Sequence, residues 1–273
     1  MRDFISRNPL LFIFLIAGYA FLYLPIFSLI IYSFNESRLV TVWGGFSTKW
    51  YGELLDNAPL LNAAWLSIKI GALNATLAVI LGTLAALALV RFRKSRGHKT
   101  LGVMVTAPLV MPEIIIGLSL LLLFVALEDL TGWPAGRGQT TILIAHATFS
   151  MAYVTVIVQS RLAHMDPSIE EAALDLGARP VRVFFTVTLP MIAPALAAGW
   201  LLAFTLSVDD LVIASFVSGP GSTTLPMVVY SSVRLGVSPQ INALASVIIA
   251  VVSLAVVIAS VIMYRSEKAA ARS

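Results

Sequence analysis

The sequence predicts an all-α membrane protein of six transmembrane helices with both termini in the cytoplasm, and three observations predict it. Hydrophobic residues make up 59% of the 273 and charged residues only 12%, where a soluble domain is roughly a quarter charged. The apolar residues fall into six long runs, each about the 20 residues or more that a helix needs to cross roughly 30 Å of hydrocarbon. Lysine and arginine gather in alternate connections between those runs, the pattern that orients a chain in the bilayer.

The runs cover approximately residues 9–34, 61–90, 101–127, 140–160, 191–217 and 241–264. The first follows Met1–Arg7 directly, with no small-residue cleavage site, so it reads as an uncleaved span rather than a signal peptide. Charge or turn chemistry closes each run in order: Asn35 and Glu36, then Arg91 with Arg93 and Lys94, Glu128 and Asp129, Arg161, Gly219-Pro220-Gly221, and Arg265. No linker or repeat divides the chain, and residues 1–273 read as a single transmembrane domain. One side of the membrane receives Arg2, Arg7, Arg91, Arg93, Lys94, Arg96, Lys99, Arg161, Arg179, Arg182, Arg265, Lys268 and Arg272. The other receives only Arg38, Lys49, Arg137 and Arg234. The richer side is cytoplasmic by the positive-inside rule, which also places the connection 161–190 in the cytoplasm. The chain has no cysteine, so disulfides and thiolate metal sites are excluded, and no metal site is expected. The net charge of +4 reflects these loops and does not call for nucleic acid as a partner.

The connection 161–190 holds an amphipathic segment too polar to span and too patterned for a plain loop. Asp166 is placed to cap a helix and Pro167 suits its first position. Ser168 with Glu171 would form a capping box if the helix began two residues later. Ile169, Ala172, Ala173 and Leu176 recur on one face, and Gly177 is placed to end the helix in a left-handed conformation. After Arg179-Pro180, Val181, Phe184, Phe185 and Thr188 make a second short stripe. A helix lying on the lipid surface is usually rich in lysine and arginine, whereas the first helix here carries Glu170, Glu171 and Asp175. An acidic face beside small residues fits a protein groove better than an anionic leaflet, so the segment reads as a docking helix.

The residues here resemble a known family. Glu171-Ala172-Ala173, three residues, Gly177, nine residues, Val187, one residue, then Leu189-Pro190 is similar to the EAA motif of binding-protein-dependent ABC importer permeases, with valine in place of isoleucine as the one departure. The resemblance runs over nearly the whole chain. TAPLVMPEIIIGLSLLLLF (106–124), FTLSVDDLVIASFVSGPGSTTLPMVVYSSVRLGV (204–237) and NALASVIIA (242–250) look like the polyamine branch, its putrescine importers above all. The resemblance implies a peripheral N-terminal helix and a five-helix core like that of the methionine importer permease. It also implies that Glu170, Glu171, Ala172, Ala173, Asp175, Gly177, Leu189 and Pro190 form the coupling region for a cytoplasmic ATPase dimer. A sister permease in a heterodimer and a periplasmic polyamine-binding protein complete the implied assembly, set in the lipid of a bacterial inner membrane.

Four ionisable residues lie within the runs: Lys69, Glu113, Asp209 and Asp210. A charge at the bilayer centre costs about 2.5–3.5 kcal/mol on insertion scales, so such groups face a cavity or a partner. In one reading the acids pair with Lys69 and backbone donors and serve assembly alone. In the other, the two negative charges left after Lys69 is counted meet a diammonium substrate, and Asp210, Glu113 and Asp209 line its path, Asp210 foremost. Adjacent Asp209 and Asp210 differ by about 100° around a helix, so they cannot point the same way. Pro108 and Pro112 interrupt the third run and free backbone carbonyls, for a packing kink or for a cation path. His146, Asn74 and Gln159 read as interhelical hydrogen-bonding groups.

These features separate the function classes. No G-x-x-x-x-G-K-[ST] stretch is present, so ATP and its magnesium are expected on the partner ATPase, with no cofactor and no catalysis in this chain. A secondary transporter would show internal repeats and would not need a docking helix. A scaffold would leave the intramembrane acids without a use. Within the importer class the competing cargoes are spermidine, iron(III) and thiamine.

Overall fold

The computed structural model describes residues 9–39, 42–235 and 239–270, and among them every regular element is helical. Of the charges that orient the chain, Arg2, Arg7 and Arg272 lie outside the described residues. Five helices are long and apolar enough to cross a membrane: Leu10–Tyr32, Ala58–Arg91, Glu113–Thr131, Gln139–Ala163 and Pro180–Val208. The sixth expected span falls in the helix Pro239–Ala270, of which Pro239–Leu254 is apolar. The chain packs as two compact units, residues 1–61 with 229–273, and residues 62–228.

In the first unit, helix α1 (Pro9–Tyr32) is apolar on every side, and its side chains from Leu10 to Phe27 are exposed. An apolar helix left uncovered over most of its length is one solvated by lipid. The turn after it is organised by Asn35, fully buried, whose amide donates to the Val42 carbonyl at 2.8 Å and accepts from the Gly44 N–H at 2.8 Å. The Trp50 indole then donates to the Asn35 carbonyl at 2.6 Å, which seats α2 (Lys49–Asp56) with Trp50 and Leu54 inward. Gln240, near the start of the Pro239–Ala270 helix, accepts from Asn57 at 2.8 Å and donates to Glu53 at 3.0 Å.

The second unit is built around a central helix. In chain order it contains most of α3 (Ala58–Arg91), then α4 (His98–Val110), α5 (Glu113–Thr131), α6 (Gln139–Ala163), α7 (Pro167–Asp175), α8 (Pro180–Val208) and α9 (Val212–Val217). A further helix, α10 (Leu225–Leu235), begins at its end, and the Pro239–Ala270 helix is α11. Helix α6 buries residues all round, and α8, α4 and α9 pack on it. Its N-terminal half joins Leu66, Ile116, Phe124 and Ile213 in one core, and its C-terminal half joins Ala78, Ile192 and Ala203 in a second. Between the two, Asn74 of α3 donates both to Ser150 of α6 at 3.1 Å and to the Ala203 carbonyl of α8 at 2.9 Å. The interhelical bonding expected of Asn74 is therefore present, and it pins three helices at one level.

Close approach replaces side-chain bulk where the hydrophobic effect cannot drive association in lipid. A Cβ on Gly82 would lie 2.9 Å from the Val154 Cβ and 3.1 Å from the Met151 carbonyl oxygen, with no room to move aside. Gly82→Val is expected to cost about 1–3 kcal/mol by overpacking, read as a lower melting temperature of the purified protein in detergent. A melting temperature unchanged from wild type would show that α3 and α6 do not meet there.

Three boundaries differ from the sequence expectation. The third run, 101–127, is two helices, α4 and α5, interrupted at Met111 and Pro112. Pro112 has no N–H to continue the ladder and forces extended backbone on Met111, with ψ at 137°. The fifth run, 191–217, is also interrupted: α8 stops at Val208 and α9 starts at Val212. At its other end α8 reaches back to Pro180, so the stripe 181–188 is the first part of a long helix and not a separate one. A π-helical turn at Phe184–Thr188 makes this possible. Pro190 has no N–H for the Thr186 carbonyl, and the Leu189 N–H bonds instead to Phe184, five residues back.

Candidate functional site

The two helix breaks in the second unit meet. Helix α5 packs on α9 so closely that a Cβ on Gly117 would fall 2.7 Å from the Phe216 ring and 3.3 Å from the Ile213 Cα. One turn before Gly117 stands Glu113, in the first turn of α5, where its carboxylate complements the free N–H groups of the helix start. One turn before Ile213 stands Asp209, at the end of α8. Glu113 lies within electrostatic range of both Asp210 and Asp209. The three acids proposed from sequence thus come together, at interrupted backbone rather than along continuous helices.

Their surroundings differ. Asp209 and Glu113 are exposed. Asp210 is buried, with its side chain 6% accessible. Its Oδ1 accepts from the Ala214 N–H in the first turn of α9 at 2.7 Å, and from His146 Nε2 of α6 at 3.2 Å. The other ring nitrogen of His146 lies 2.7 Å from the Ser207 hydroxyl of α8. Asp209 and Asp210 thus face different surroundings, one exposed and one buried, as expected of adjacent residues about 100° apart. Lys69 does not pair with the acids: among the described residues its Nζ has only the Gln139 Oε1 at 3.5 Å. His146 was legible as an interhelical hydrogen-bonding group, but Asp210 and Ser207 as its partners were not, since they lie 64 and 61 residues away.

The second site is the connection after α6. Asp166 caps α7 by accepting from the Ser168 N–H at 3.0 Å, and that bond holds its carboxyl below its usual range. Asp166 as cap with Pro167 at the first position is the arrangement present, rather than a box made by Ser168. At the other end Gly177 takes a φ of +84°, its N–H bonds to Leu174 at 2.8 Å, and the Ala178 N–H reaches back to the Ala173 carbonyl at 3.2 Å. Those two bonds define a Schellman cap. The chain then re-enters a helix at Pro180.

The acids of α7 divide. Glu170 turns inward: both oxygens accept from Arg91 at the end of α3, at 2.5 and 2.7 Å, and the Thr188 hydroxyl in the π turn donates to it as well. Arg161 donates to the Met191 carbonyl at 3.2 Å, tying the base of the connection to α8. Glu171, Ala172, Asp175 and Pro190 are exposed, while Ala173 and Leu189 are half-buried. No side chain of α7 is buried, and Leu176 just beyond it is 89% exposed, with Ile169, Leu174, Val181 and Phe185 also uncovered. Helix α7 is held from behind by the Arg91–Glu170 ion pair and turns apolar side chains outward, an exposed patch of the kind that marks an interaction surface. Arg91 as the anchor was not legible in the sequence, where it reads only as part of the basic connection.

Comparison with known proteins bears on the family and the fold. The family described as binding-protein-dependent transport system inner membrane component matches residues 78–272. The putrescine transport system permease protein PotI of Escherichia coli (strain K12) is 60% identical over 264 residues, covering 97% of this chain and 94% of that protein. The spermidine/putrescine transport system permease protein PotC of the same strain is 44% identical over 254 residues, with 93% of each covered. Among solved structures, a bacterial ABC transporter involved in the import of the acidic polysaccharide alginate superposes with a TM-score of 0.74 at 17% identity, over 96% of this chain and 97% of that one. At that identity the likeness speaks for the fold alone. The match over most of the chain, the apolar spans and the permease fold together mean that this protein belongs to the binding-protein-dependent transport system inner membrane component family, as a multi-pass permease of the inner membrane.

Proposed function

We propose that this chain is the transmembrane permease subunit of an ATP-driven importer that carries putrescine, or a related polyamine, from periplasm to cytoplasm. The observation that carries the reading is the pair of exposed carboxylates, Glu113 and Asp209, at two helix breaks within a membrane-spanning unit. Carboxylates left bare in hydrocarbon are costly, and discontinuous helices in membranes line cavities. Two carboxylates on a water-filled path supply the counter-charge for a diammonium ion, and Asp210 stands directly behind them. The naming of PotI for putrescine, at 60% identity, supports the same cargo. The naming of PotC for spermidine and putrescine supports the triamine spermidine as the second reading.

The chain itself hydrolyses nothing in this proposal. A partner ATPase dimer binds ATP and magnesium and seats the 161–190 connection, with Glu171, Ala172 and Asp175 facing it and Glu170 bracing the helix from behind. Each ATPase takes one coupling helix, and this chain supplies one. A sister permease, different in sequence, supplies the other and closes the path over Glu113 and Asp209, and a periplasmic polyamine-binding protein delivers the cargo. The test is reconstitution in proteoliposomes with ATPase and binding protein, with and without the sister permease. ATP-dependent putrescine uptake is expected only with the sister present. Equal uptake without it would overturn the heterodimer, and uptake of neither putrescine nor spermidine by the whole complex would overturn the cargo.

A further inference from the structure

Resting on that reading, we infer that His146 is a positioning residue: it holds Asp210 inside the protein, so that Asp209 and Glu113 alone are left to meet the cation. His146 is 2% exposed and the Asp210 side chain 6%. An ionised aspartate offers acceptors only, so toward an ionised Asp210 the facing ring nitrogen is the donor. The Nδ1 of a neutral ring then accepts from Ser207, and in a protonated ring it donates to Ser207. In either state His146 presents Nε2–H to Asp210.

The placement gives this bond leverage. His146 belongs to α6, Ser207 to the last turn of α8, and Asp210 to the break that starts α9. One imidazole therefore ties the last turn of α8 to the break that follows it. Asp210 uses the same Oδ1 for His146 and for the Ala214 N–H. Losing the ring leaves the Ala214 N–H as the one donor among the described residues. A buried carboxylate stripped of a donor seeks water or another cation. Its neighbour Asp209 is exposed and lies within electrostatic range of His146 and Asp210. Lys69, bonded to Gln139, is not placed to substitute. A third free carboxylate at the breaks would bind a passing dication more strongly and slow its release.

The experiment compares His146→Leu, His146→Gln, Asp210→Asn and the double variant His146→Leu with Asp210→Asn, each assembled with its sister permease and ATPase. Putrescine uptake per assembled complex and the KM for uptake are measured. His146→Leu is expected to transport about tenfold more slowly, since an unpaired buried charge is worth more than one tenfold step. His146→Gln, which keeps an N–H for Asp210, is expected to stay within about threefold of wild type, the size of a neutral hydrogen-bond change. Removing the charge in the double variant is expected to restore most of what His146→Leu loses. A ring that merely filled space would give a double variant as slow as His146→Leu, and that result overturns the inference. Should His146→Leu fail to assemble, recovery of assembly and uptake in the double variant supports the inference, and failure of the double variant to assemble overturns it. If the wild-type complex carries no polyamine, the cargo reading fails first. The melting temperatures of the four variants then decide the His146 assignment by the same pattern of loss and rescue.

Discussion

Glu113→Gln and Asp209→Asn are each expected to lower putrescine uptake by about tenfold with the complex fully assembled. A charge pair at 4 Å is worth about 4 kcal/mol at an effective dielectric of 20, and desolvation and counter-ions reduce it. About 1.4 kcal/mol surviving per contact gives the tenfold step. Both side chains are exposed in the second unit, so an amide in place of either carboxylate leaves no buried group without a partner. Assembly is therefore expected to stay at the wild-type level, and the double variant to fall below either single one. The two sites are close enough to interact, so their effects are not expected to add simply. Uptake measured in vesicles, divided by the amount of intact complex, separates transport from folding. Wild-type uptake in all three variants would remove the acids from the cation path.

This prediction departs in one respect from what the sequence suggests, where Asp210 stands foremost among the three. The hydropathy of 191–217 runs through Asp209 and Asp210 without a break, so the sequence reads as one helix with two acids on it. Only the folded chain shows that Asp210 stands just before a second helix and shares one oxygen between Ala214 and His146. A signal was present: an aspartate followed by an apolar stretch is also a helix start, and Pro112 before Glu113 marks the companion break. Apolar periodicity hid both, because a half-helix and a whole one have the same hydropathy.

The connection 161–190 was far more legible. Its cap, its stripe and its terminating glycine are local features, set by residues within a dozen positions of one another. The structure accordingly has the cap at Asp166 and the positive φ at Gly177. What stayed hidden is long-range. The Arg91 and Glu170 pair spans 79 residues, and nothing in the spacing of either run announces it. The π turn was hidden for another reason: its cause, Pro190, lies at the edge of the motif where it reads simply as a helix start.

Gly177→Val is expected to release the ATPase while leaving the permease in the membrane. Gly177 holds a φ of +84°, and a Cβ there would meet nothing within 4 Å. The penalty is therefore conformational and not a clash: about 1–2 kcal/mol for a left-handed backbone, at its worst for a β-branched side chain. That strain is relieved if the turn changes, and the turn carries the two bonds, Gly177 to Leu174 and Ala178 to Ala173, that aim α7 relative to Pro180. Glu170 still binds Arg91 and Thr188, so the helix is retained but its exposed face, with Glu171 and Leu176, no longer fits the docking groove. A loss of about 1.4 kcal/mol weakens association about tenfold, and a misdirected interface adds to it. Gly177→Asn is the control, because asparagine tolerates the left-handed region. It is expected to retain most ATPase in co-purification, where Gly177→Val retains little. Glu171→Lys reverses a charge on the exposed face without touching the turn and is expected to weaken the same association. Equal ATPase recovery and equal ATP hydrolysis in Gly177→Val, Glu171→Lys and wild type would mean that the energy of the partner enters this permease somewhere other than α7.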